Sequence, residues 1–68
     1  MHDARTIGSR VRDERLIRLW SQQDLAERAY LHMNTIYRIE RGRVVPSLLS
    51  QQRLATAFGR KRTDLFGE

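Results

Sequence analysis

Two short helical patterns lie between Ser21 and Gly42, separated by a break of three residues. Leu25, Ala26 and Ala29 recur at i, i+1 and i+4, a narrow stripe of mostly small side chains that lets a neighbouring helix cross closely. The spacing is lost at Tyr30, Leu31 and His32 and resumes with Ile36 and Ile39 at i, i+3. Ser21, with Asp24 three residues on, forms a helix-start pattern in which side-chain oxygens satisfy the free amides of the first turn. Gly42 stands where the second segment should stop, because glycine adopts the left-handed helix-closing conformation at little cost. The stretch predicts a helix starting at Gln22, a tight turn, and a second helix over about residues 33–41.

The other positions read as support for this pair. A helix over residues 7–18 turns Ile7 and Val11 inward and Arg10, Arg12, Asp13 and Arg18 outward, with Leu16 and Trp20 continuing the packing. Pro46 precedes Ser47, the expected cap of a helix over residues 48–58 whose core face is Leu48, Leu54, Ala55 and Phe58 and whose stop is Gly59. Thr63 can cap a last turn holding Asp64, Leu65 and Phe66. In so small a domain the two large apolar residues either seal the core or face a partner. Residues 1–6 show no periodicity and are expected to form a flexible arm ahead of a domain spanning residues 7–68. The expected fold is an all-α, compact bundle of about five short helices.

The second helix of the central pair has an unusual outer side. Asn34, Tyr37, Arg38 and Arg41 fall at i, i+3, i+4 and i+7, one continuous polar face. Lysine and glutamate commonly fill solvated helix faces, and neither is among these four. Asparagine and arginine can make paired hydrogen bonds to the edges of adenine and guanine, and an α-helix fits the major groove of DNA.

Charge points the same way. The net charge is +5, and twelve of the thirteen basic residues are arginine, a balance that favours an anionic partner. Residues 41–62 hold Arg41, Arg43, Arg53, Arg60, Lys61 and Arg62 with no acid, whereas residues 21–40 are net negative by one. Length and composition exclude much else. With 68 residues the chain is one small domain near the lower limit for folding on a single core. It has no cysteine, and its two histidines, His2 and His32, are far apart, so no disulfide, metal site or cofactor is expected. No apolar run is long enough to span a bilayer and no signal-peptide pattern opens the chain, so a bacterial cytoplasm is the expected location. Nucleophile–base pairs, paired carboxylates and phosphate loops are all missing, which argues against an enzyme.

Three segments stand in the order and at the spacing of a known family: Ser21-Gln22 with Asp24-Leu25-Ala26; Ile36-Tyr37-Arg38-Ile39-Glu40-Arg41-Gly42; and Pro46-Ser47-Leu48. From about residue 7 to 66 the chain resembles the phage repressor and Cro type of helix-turn-helix domain, also called the xenobiotic-response-element family. The resemblance implies a lambda-repressor-like bundle whose third helix enters the major groove of operator DNA. It also implies an ion pair between Arg15 and Glu40, tying the first helix to the third. Expected base contacts are Met33, Asn34, Tyr37 and Arg38; expected phosphate contacts are Gln22, His32, Arg41 and Arg43.

The function so implied is sequence-specific binding of double-stranded DNA as a transcriptional regulator. A homodimer on a two-fold symmetric operator is expected, because one recognition helix reads only a few base pairs, and Leu65 and Phe66 are the candidate interface. The alternative is a protein-interaction module of the same fold, such as an antitoxin. Several positions depart from the family. Leu19 and Tyr30 stand where glycine is common, so each must accept left-handed strain or tighten its turn differently. The first helix is then expected to end early, and the Tyr30 ring is expected to pack against the helices. Gln51, Arg60 and Arg62 replace apolar residues.

Overall fold

Capping side chains and left-handed turns divide the chain into five helices in the computed structural model, which describes residues 2–67. They are α1 (Ala4–Ile17), α2 (Gln22–Ala29), α3 (Met33–Glu40), α4 (Leu48–Phe58) and α5 (Arg62–Phe66), with no strand among the described residues. None of the helices is long and apolar enough to cross a membrane. The first helix begins at Ala4, not near residue 7, because Asp3 caps it: its Oδ1 accepts the Thr6 amide at 2.8 Å. The His2 amide also donates to the Phe66 carbonyl at 3.4 Å, so residues 2–6 are tied to the domain instead of forming the expected arm, while Met1 lies outside the described residues. At α2 the predicted capping box is complete, with Ser21 Oγ accepting from the Asp24 amide and Asp24 Oδ2 accepting from the Ser21 amide, both at 2.9 Å.

Backbone hydrogen bonds accepted from Thr6 and from Ser21 hold the carboxyls of Asp3 and Asp24 below the usual carboxylate range. A depressed folded pKa means that these caps contribute fully above the ordinary aspartate value, about pH 4, and fade as pH falls below it.

One hydrogen-bond pattern closes the first four helices. In each, a left-handed residue donates its amide back three residues, and the next residue donates back five: Leu19 to Leu16 with Trp20 to Arg15, Tyr30 to Glu27 with Leu31 to Ala26, Gly42 to Ile39 with Arg43 to Arg38, and Gly59 to Thr56 with Arg60 to Ala55. This double bond satisfies carbonyls that a helix end leaves free. Glycine supplies the left-handed residue in two of the four. Leu19 (φ 60°) and Tyr30 (φ 56°) take it without glycine's freedom. Neither turn is reshaped: both keep the glycine geometry and carry its strain. The Tyr30 ring is not packed away as expected, since the residue is 82% exposed; Leu19 is 90% exposed.

The core is built from one face of every helix: Ile7 and Val11, Leu25 with Ala26 and Ala29, Ile36 and Ile39, Leu54 with Ala55 and Phe58, and Leu65 with Phe66. Small residues set the helix spacing, as the alanines of α2 suggested. The closest approach is elsewhere, at Gly8, where an added Cβ would lie 2.3 Å from the Ile39 carbonyl oxygen. Backbone of α1 therefore rests directly on the end of α3. Trp20 is half-buried and stacks on Phe58 with ring centroids 6.0 Å apart.

Four expectations need correction. Leu16 and Leu48 are exposed, because the inward face of α1 is set by Ile7, Gly8 and Val11 and that of α4 begins only at Gln51. Gln51 is buried, and its amide is satisfied: Nε2 donates to the Pro46 carbonyl at 2.9 Å, and Oε1 accepts from Arg62 at 3.0 Å. The two polar replacements thus answer one another. The last helix starts after Lys61, so Thr63 lies inside it and is not its cap. Leu65 and Phe66 are 2% and 0% exposed; they seal the core and are not available as a dimer interface.

Thermal melts of three variants test these backbone assignments. Tyr30→Gly and Leu19→Gly each remove left-handed strain of ~1–2 kcal/mol and lose little packing, partly offset by the greater entropy of glycine. Each is expected to raise the melting temperature by about 4 °C. Gly8→Ala is expected to lower stability by ~1–3 kcal/mol despite alanine's better helix propensity, since backbone must move to admit the methyl group. A Gly8→Ala protein that melts higher than the native chain would show that the α1–α3 contact is looser than described.

Candidate nucleic-acid interface

The polar side of α3 is open to solvent over its whole length. Asn34, Tyr37, Arg38 and Arg41 are exposed and Met33 is about half exposed, while Ile36 and Ile39 on the opposite side are fully buried. A short helix anchored by only two residues needs further support, and Glu40 supplies it. Arg15 Nε donates to Glu40 Oε2 at 2.7 Å, Arg15 NH2 to Oε1 at 2.9 Å, and Arg15 NH1 to the Trp20 carbonyl at 2.8 Å. The pair is sheltered, with side-chain exposures of 11% for Arg15 and 4% for Glu40. Hydrogen bonding to Glu40 raises the Arg15 pKa further above its already high ordinary value, so the guanidinium stays charged.

The expected phosphate contacts are arranged around this anchor. Gln22, first residue of α2, turns its side chain to Glu40, with Nε2 donating to Oε1 at 3.2 Å. Its main-chain amide precedes the first bond of the helix, that from Leu25 to Ser21. His32 is exposed at the start of α3 and makes no capping bond with its side chain. Arg41 and Arg43 both lie over the Tyr37 ring, their guanidinium carbons 5.7 and 5.8 Å from its centroid. Aromatic faces attract guanidinium groups, so Tyr37 gathers both arginines beside the exposed face of α3.

The distribution of the other arginines was not readable from their spacing. Arg18 bonds Glu14 and the Phe58 carbonyl, Arg60 bonds Glu14, Arg62 bonds Gln51, and Arg28 lies over Trp20. The basic turn at residues 60–62 is thereby largely committed to structure. Arg5, Arg12 and Arg38 form no side-chain hydrogen bond or ion pair among the described residues, although Arg5 is near enough to Asp3 to help stabilise its charge. Arg5 and Arg12 line the surface next to Arg41. Sequence reasoning missed both, and also Gly8, although an i, i+7 pair of arginines on α1 could have drawn notice.

A helix-turn-helix family model matches residues 11–65, which include all of α2, α3 and α4. The chain belongs to the Cro/C1-type helix-turn-helix family. It is a DNA-binding transcription regulator. No curated protein matches the sequence. Among solved structures, it is similar to the restriction-modification controller protein C.AhdI from Aeromonas hydrophila, at 32% identity and a TM-score of 0.88 over 93% of this chain and 96% of that one. It is also similar to the competence regulator ComR from Streptococcus vestibularis, at 32% identity and a TM-score of 0.84 over 91% of this chain but 21% of that one. The ComR of S. thermophilus gives the same values. In this family member the helix-turn-helix is α2 and α3, with Tyr30 at the left-handed position of the turn.

Proposed function

We propose that this regulator reads a two-fold symmetric operator as a homodimer, with α3 in the major groove of each half-site. The observation that carries the reading is the exposed, acid-free face of Asn34, Tyr37, Arg38 and Arg41 on a helix whose opposite side is fixed to the core. Asn34, in the first turn, has the paired donor and acceptor that suit adenine. Arg38 has the fork that suits guanine or a phosphate, Met33 supplies an apolar contact for a thymine methyl, and Tyr37 lies between them on the same face. The amide end of α2 at Gln22, together with His32, Arg41 and Arg43, takes the flanking phosphates.

Size supports the dimer. The Cα trace measures 26 × 23 × 21 Å, so two copies in side-by-side contact are small enough to sit on half-sites one ~34 Å turn of B-DNA apart. Selection of bound sites from random duplexes tests the proposal. A palindromic site bound by two chains is expected; a single asymmetric site bound by one chain contradicts it.

Two substitutions separate base reading from phosphate contact. Asn34→Ala is expected to fold normally, weaken binding to the preferred site by ~1–3 kcal/mol and relax discrimination at one base pair per half-site. Selection that returns the same preference at every position removes Asn34 from the reading face. Arg43→Ala is expected to keep the preference but make the log–log salt dependence of affinity shallower by about 0.9 per chain. An unchanged slope would show that Arg43 neutralises no phosphate.

A further inference from the structure

A groove of about 430 Å³ lies between α1 and the C-terminal end of α3, and its lining includes Arg5, Ser9, Arg12, Asp13 and Arg41. Arg5, Ser9 and Arg12 fall at i, i+4 and i+7 of α1 and so share one face. Arg5 is held beside the end of α3: a Cβ on Gly42 would come 3.1 Å from Arg5 Cγ, so the arginine stem lies across that glycine. A second groove, of about 230 Å³, adjoins the first and reaches Gln22 and Tyr37. Arg12 and Arg41 line both grooves, which makes the basic surface continuous from the exposed face of α3 to α1.

The acids present do not neutralise it. Glu40 borders both grooves, but Arg15 and Gln22 occupy its oxygens and Arg15 balances its charge. Asp13 is then the one uncommitted acid in the lining, with Asp3, a helix cap, close enough to Arg5 to feel its charge; Arg5, Arg12 and Arg41 form no ion pair among the described residues. Three like charges around one concave surface repel one another unless an anion joins them.

We propose that this α1–α3 groove is a phosphate-binding site, and that it takes a backbone phosphate of duplex DNA outside the base pairs read by α3. The proposal rests on the reading of α3 given above. Guanidinium groups match phosphate oxygens with paired hydrogen bonds, and the Ser9 hydroxyl is placed to donate another. The groove extends the footprint of each chain along the backbone without adding sequence information.

The test uses the full chain and its selected duplex, in a long form with flanking base pairs and a short form without them. On the long duplex Arg5→Gln/Arg12→Gln should make the salt slope shallower by about 0.9 per chain for each phosphate lost, with the preferred sequence unchanged. On the short duplex the variant and the native chain should have the same slope. Equal slopes on the long duplex overturn the proposal. Should the double variant melt early, Arg5→Gln alone, at an exposed position, gives the same comparison. Titration of the free protein with inorganic phosphate, followed by the arginine side-chain NMR signals, separates the sources. Tight saturation there would assign the groove to a free phosphate compound and overturn the DNA assignment. A native chain that selects no duplex contradicts the reading of α3 itself and removes the groove's ligand with it; selection that depends on Asn34, with an unaltered slope in the groove variant, rejects the groove alone.

Discussion

The bond from Arg15 to Glu40 is the constraint on which the placement of α3 depends. Helix α3 is only eight residues long and buries just Ile36 and Ile39, too little to fix its rotation by packing alone. One guanidinium, carried by α1, ties the turn after that helix, through the Trp20 carbonyl, to the end of α3, through both oxygens of Glu40. Gln22 adds the start of α2 to the same carboxylate. Helices α1, α2 and α3 therefore meet at one charge pair. Removing one partner of a sheltered pair strands the other, at a cost of ~3 kcal/mol or more. A 68-residue domain has only ~3–10 kcal/mol of stability in total. The pairs at Glu14 carry less, because Arg18 and above all Arg60 are more open to water, which screens them.

Charge in this small protein is sorted by what holds it. Behind α3, arginines are tethered to Glu14, Gln51, carbonyl oxygens or aromatic rings, and there they act as mortar between helices. Around α3 the guanidinium groups of Arg41 and Arg43 lie over the Tyr37 ring, outside any ion pair among the described residues, and the Arg5 stem crosses Gly42. A guanidinium oriented by its neighbours yet unpaired loses little freedom when it meets an anion. The net charge of +5 alone does not distinguish these two populations. Partnership does, and it places the unpaired charge beside α3.

The helices were legible in the sequence wherever a periodic apolar face coincided with a capping signal, as at Ser21 with Leu25, Ala26 and Ala29. Errors arose where one of the two was missing. Residues 4–6 lack periodicity, but Asp3 caps the helix and extends it to them. Leu16 and Leu48 are apolar and exposed because hydrophobicity alone does not say which way a helix end faces. Gln51 looked misplaced until Arg62, eleven residues on, supplied its partner; such a pairing depends on tertiary approach and leaves no periodic trace. Gly8 was silent for the same reason, since only the crossing of α1 over the Ile39 carbonyl requires it. The left-handed residues show a different limit. Leu19 and Tyr30 adopt the conformation suited to glycine because the two backbone bonds that close each helix outweigh the strain of one side chain.

The placement of α3 by a single charge pair is tested most directly by a double-mutant cycle in chemical denaturation, using Arg15→Gln, Glu40→Gln and the double variant. If the pair acts as described, each single change costs ~3 kcal/mol and the double variant costs well under their sum, a coupling of ~2 kcal/mol or more. Additive losses would contradict the account, since they would mean that the two residues stabilise the fold independently and that α3 is held by its apolar face alone.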